Sequence, residues 1–67
     1  MKVYINKQEY EVAEGASLSD ALKQVPNLPD KGIAVALNNQ VVSLATWHET
    51  SLSENDKITV IKAFYGG

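Results

Sequence analysis

Residues 17–26 constrain the fold of this chain more than any other stretch. Leu18, Ala21, Leu22 and Val25 fall at i, i+3, i+4 and i+7, the spacing of one buried helical face. Ser17 stands where an N-cap belongs, with Asp20 three residues on as a capping-box partner and a favourable charge at the helix start. Pro26 removes a donor and disfavours helix at Val25, so the spacing predicts a helix over residues 18–25. So short a helix does not persist alone in water. It needs a sheet beneath it, and the rest of the chain must supply that sheet.

The flanking segments do read as strands. Residues 2–6 alternate, with Val3 and Ile5 on one face and Lys2, Tyr4 and Asn6 on the other. A short polar break at residues 6–8 leads into a second alternating run at 9–12, which together predict a hairpin whose solvated edge carries Glu9 and Glu11. Beyond the helix, residues 27–32 form a loop with Pro29. Residues 33–37, Ile-Ala-Val-Ala-Leu, are the most apolar strand and are expected at the sheet centre. Asn38-Asn39 tolerates positive φ and suits a hairpin turn into residues 40–42. Residues 43–53 read as irregular, anchored by Trp47 and Leu52, and residues 54–56 as a polar turn. Residues 57–62 are the last strand, with Ile58 and Val60 facing the core.

The order β-β-α-β-β-loop-β, with one helix to cover one face, predicts an α+β domain over residues 1–67: a mixed four- to five-stranded sheet packed on a single helix. The first and last strands are expected side by side at its centre, since Val3/Ile5 and Ile58/Val60 suit packing on Leu18, Leu22 and Val25. A chain of 67 residues with no cysteine rests on packing alone, without disulfide or thiolate metal site. Its net charge of −2 and six scattered lysines give no basic stripe for nucleic acid. The opening residues lack the apolar run of a signal peptide, and no segment reaches membrane-spanning length, so a soluble cytoplasmic protein is expected.

Few side chains suggest chemistry. His48 is the one histidine, next to Glu49, with no nucleophile or second histidine at a recognisable spacing, and it is assigned no role. Asp30, Glu49, Glu54 and Asp56 lack the spacing of a calcium loop and read as a solvated polar face. The last five residues, Ala63-Phe64-Tyr65-Gly66-Gly67, are more informative. Gly66 and Gly67 are two of the four glycines, and at a usage of about 7% an adjacent pair at the end is roughly a 1-in-200 accident. A glycine pair ends a strand poorly but threads well into a narrow slot. If Ile58 and Val60 face inward, Ile61 and Ala63 face the side no helix covers; either residues 43–53 fold over them, or they stay exposed beside Phe64 and Tyr65 as an apolar group fit for docking a partner.

The whole pattern resembles the ThiS family of sulfur carriers of thiamine biosynthesis, within the ubiquitin-like β-grasp proteins. The residues that carry the resemblance are the opening strand ending at Asn6, the helix, and the Ile33-Ala34-Val35-Ala36-Leu37-Asn38 strand. Val41-Val42, Trp47, Leu52, Asp56-x-Ile58 and the final Gly66-Gly67 complete it. Only the glycine pair is a specific signal. The family usually has Asn-Gly where Asn38-Asn39 stands and Gly-Asp where Asn55-Asp56 stands, and often an arginine near Ser43-Leu44. The longer molybdopterin-synthase small subunit, MoaD, shares the ending and is the second resemblance; a ubiquitin-fold interaction module with an incidental tail is the alternative of a different class.

The resemblance implies a carrier and not an enzyme. A flexible C-terminal tail would present Gly67 to an E1-like (ThiF-like) adenylyltransferase, which uses ATP to activate its carboxylate. A sulfur-donating persulfide protein would convert Gly67 to a thiocarboxylate, and a thiazole synthase (ThiG-like) would receive the sulfur. Gly66 and Tyr65 would thread into the partner's active site, and Phe64, Ala63 and Ile61 would dock against it. No permanently bound cofactor and no metal is implied.

Overall fold

A computed structural model describes residues 1–26, 28 and 32–62, the last of these in its backbone only. The elements are β1 (Lys2–Ile5), β2 (Gln8–Glu11), α1 (Leu18–Leu22), β3 (Ile33–Leu37), β4 (Gln40–Val42), a 3₁₀ helix over Leu44–Glu49, and β5 (Lys57–Lys62). The five strands form one mixed sheet in the order β2-β1-β5-β3-β4. β1 and β5, from opposite ends of the chain, pair in parallel with Ile5 opposite Ile58, and the remaining pairings are antiparallel.

The helix forms as its residues dictate, but ends sooner. Asp20 N–H donates to Ser17 Oγ at 3.2 Å while Ser17 N–H donates to Asp20 Oδ2 at 3.1 Å, a reciprocal capping box. The helix stops at Leu22 instead of reaching Val25. Gln24 and Val25 donate to Ala21 and Leu22, three residues back, so the chain tightens into 3₁₀-type bonding before Pro26. Val25 still packs against the core, so the apolar face survives the change of winding.

Leu18, Val3, Val35 and Ile58 are fully buried, and each contributes about 1.5–3 kcal/mol by leaving water. They join α1 to the inner face of β1, β5 and β3, with Leu22, Ile5 and Val60 around them. β5 is therefore the central strand. β3, the most apolar strand, lies one place out, between β5 and β4. The first hairpin is tighter than its sequence suggested: only Asn6 and Lys7 form the turn, and Gln8 already pairs with Ile5.

Residues 43–53 are more regular than their composition suggests. Leu44–Glu49 wind as a 3₁₀ helix capped by Ser43, and Trp47 Nε1 donates to the Val42 carbonyl at 2.9 Å. The segment then crosses to the helix side. Leu18 N–H donates to the Thr50 carbonyl, Leu52 N–H to that of Ala16, and Leu52 is buried. No helix among the described residues is long and apolar enough to cross a membrane.

Candidate functional site

β5 decides what each face of the molecule offers. Ile58 and Val60 point to the helix, so Lys57, Thr59 and Ile61 occupy the opposite face. The register places Ile61 opposite Ala34, and Thr59 opposite Ala36, which in turn faces Val41 on β4. The 43–53 segment lies on the helix side, so among the described residues no layer covers this outer face. Ile61 is 57% exposed and Val41 79%. Both are apolar side chains left exposed on this face, Val41 level with Thr59 and Ile61 one outer-face position further along β5.

Toward the other end, the same face becomes polar. An open cleft of about 760 Å³ lies between the Asn6-Lys7 turn and Asn39, with Tyr4, Lys57 and Thr59 lining it. The two turns hold β5 from either side through asparagine side chains. Asn6 Oδ1 accepts the Val60 N–H at 2.8 Å, and Asn38 Oδ1 accepts that of Lys57 at 2.9 Å. The outer face is consequently a rigid surface built on the strand that runs into the tail.

Ile61 is the one expected docking residue among those described. Ala63, Phe64, Tyr65, Gly66 and Gly67 lie outside the described residues, as does Asp30. The remaining acidic residues divide into two kinds. Asp56 and Glu54 are tied to backbone: Asp56 Oδ2 accepts the Ser53 N–H at 2.7 Å and Oδ1 the Asn38 amide at 3.0 Å, while Glu54 accepts the Lys2 N–H. Glu49 is exposed beside an equally exposed His48, 3.9 Å apart. Among the described residues no three His, Asp or Glu side chains gather closely enough to hold a metal.

Sequence reasoning passed over Val41, Tyr4, Lys7, Lys57 and Thr59 as parts of one surface. The alternation along β5 does separate Lys57 and Thr59 from Ile58 and Val60. What it lacks is the register that brings β4 and the Asn6-Lys7 turn onto the same face, and that depends on long-range pairing.

Among solved structures, the chain is similar to the thiamine biosynthesis protein (ThiS) from Geobacter metallireducens. The likeness covers 100% of this chain and 99% of that one, with a TM-score of 0.79 and 22% sequence identity. At that identity it speaks for the fold, a ubiquitin-like β-grasp. No curated protein matches the chain. The model of the ThiS family matches residues 3–67, nearly the whole length and through both final glycines, so the chain belongs to the ThiS family.

Proposed function

We propose that this protein is a sulfur carrier for thiazole formation in thiamine biosynthesis, with Gly67 as the carrying residue. The observation that bears most weight is the family match running through Gly66 and Gly67. A carboxylate resists sulfur nucleophiles until it is activated. An E1-like adenylyltransferase transfers AMP from ATP to the Gly67 carboxylate and releases pyrophosphate. The terminal sulfur of a persulfide then attacks the acyl carbon and AMP leaves, giving an acyl persulfide. A thiol reductant cleaves its S–S bond, leaving a thiocarboxylate on Gly67 and a disulfide on the donor side. A thiazole synthase consumes the thiocarboxylate sulfur.

The chain's own part is presentation. Five extended residues beyond β5 span roughly 17 Å, enough to reach a recessed active site while the sheet remains outside. Gly66 and Gly67 admit the partner's backbone and nucleotide where a Cβ would collide, and Tyr65 threads with them. Ile61, exposed on the outer face, docks with Ala63 and Phe64 against the activating enzyme. The chain supplies no catalytic group and no bound cofactor in this scheme; ATP belongs to the partner.

Intact mass after incubation with ATP, a sulfur source and the E1-like enzyme of the same organism tests this reading. Replacement of one oxygen by sulfur, mapped to Gly67, is the expected result. An unmodified chain beside an active enzyme control overturns it and favours an interaction module. Phe64→Asp is expected to weaken binding of the activating enzyme, and unchanged affinity removes Phe64 from the docking surface.

A further inference from the structure

We infer that the cleft on the outer sheet face, between the Asn6-Lys7 turn and Asn39, is a second anchor for the activating enzyme, one that receives carboxylate side chains from it. The inference rests on the carrier reading and adds the chemistry of the partner's surface.

Charge comes first. The protein carries a net charge of −2, yet its outer face brings Lys7 and Lys57 to one cleft. Among the described residues neither lysine has an ion-pair partner, whereas Lys2 pairs with Glu9 and Lys23 with Asp20. Asp56 and Glu54 accept backbone N–H groups and form no ion pair with either lysine. The cleft thus presents two ammonium groups without an ion-pair partner among the described residues, and the complement of such a pair is a carboxylate.

Construction is the second argument. The walls are backbone turns locked onto β5 by Asn6 and Asn38, so the two lysines spring from fixed points. Lys7 has a φ of 70°, a left-handed conformation uncommon for lysine, and the turn aims it from the end of the hairpin. Thr59 and Tyr4 also line the cleft and add hydrogen-bonding groups beside the charges.

Position is the third. Lys57 begins the strand that ends at Lys62 ahead of the tail, and at ~3.3 Å per residue the ten steps from Lys57 to Gly67 would span about 33 Å if fully extended. The cleft and the exposed Ile61 and Val41 side chains lie on one face of the sheet. A partner that engages both would hold the domain at two separated points while it receives Gly67. Ile61 and Val41 supply apolar contact area, and the charges steer approach and fix register, the usual division of labour across such a surface.

Binding of the E1-like enzyme by calorimetry, at low and at high salt, tests the anchor with three proteins: wild type, Lys7→Glu/Lys57→Glu and the neutral Lys7→Asn/Lys57→Gln. Asparagine tolerates the φ at position 7, so the neutral pair decides the matter if the charge-reversed pair melts early. Wild type is expected to bind, the reversed pair to bind about tenfold more weakly at low salt with the neutral pair between them, and the differences to shrink as salt screens the charges. Equal affinity and equal salt dependence for all three overturn the anchor and leave the carrier reading standing. Failure of wild-type protein to bind an enzyme that is active on a known carrier overturns both.

Discussion

Asn38 and Asn39 share one turn and have different duties. Both have left-handed backbones, with φ of 50° and 72°, the pair of positive values a two-residue hairpin turn requires. That much was legible from the residue type. Asn38 does more: its Oδ1 accepts the Lys57 N–H and its amide donates to Asp56, which in turn accepts the Ser53 N–H. Asn6 performs the matching task for Val60 from the opposite side of β5. Neither role was legible, because nothing in the local sequence says that β5 runs between the two turns. The side chain of Asn39 makes no hydrogen bond among the described residues. Asn39→Gly is therefore expected to raise stability by about 0.5 kcal/mol through relief of left-handed strain. Asn38→Gly keeps the φ but removes the acceptor of the exposed Lys57 N–H, and is expected to cost about 0.5–1.5 kcal/mol. Urea melts of the two variants should move in opposite directions; a shared direction would mean that backbone conformation alone governs the turn.

At the scale of elements, α1 shows where a pattern is reliable and where it is not. Periodicity located the buried face and the capping box, because both are local. It overestimated the length, because the last residues keep their burial while switching to 3₁₀ bonding ahead of Pro26. The cap also gives the helix a pH signature. Hydrogen bonds from the Ser17 backbone and then its side chain hold the Asp20 carboxyl below its ordinary value of 3.8. A depressed carboxylate pKa stabilises the fold above the unfolded value, and that stabilisation is lost as pH falls through the lower folded value. Asp20→Asn keeps an oxygen for the Ser17 N–H but loses the charge. Stability profiles of wild type and Asp20→Asn should therefore stand apart above about pH 4 and converge below it. Parallel profiles throughout the acid range would show that the carboxylate does not contribute. Ser17→Ala, which removes the acceptor for Asp20 N–H, is expected to cost about 1 kcal/mol in urea melts at neutral pH.

Over the whole molecule, one sheet serves two faces with opposite demands, and apolarity alone does not tell them apart. β3 looks central because all five of its residues are apolar, yet Ala34 and Ala36 lie on the outer face while Val35 is buried. Small side chains there accompany a face that no described residue covers, not a second core. β5, with Lys57 and Thr59 interleaved among its core residues, is the middle strand of the five, between β1 and β3. The two faces should accordingly answer differently to the same chemical change. A domain of 67 residues has a total stability of roughly 3–10 kcal/mol. Leu18→Ala, at a fully buried site beneath the sheet, is expected to cost about 2–5 kcal/mol, a large share of that total. Ile61→Ala removes a similar amount of hydrocarbon from a side chain that is 57% exposed, and is expected to shift the melt by less than about 1 kcal/mol. In urea melts of the two variants, a loss at Ile61 as large as that at Leu18 would mean the outer face is packed in the folded chain, and the docking surface proposed there would have no free side to offer. A small loss at Ile61, combined with weaker binding of the activating enzyme, would place the residue's contribution in the complex and not in the fold.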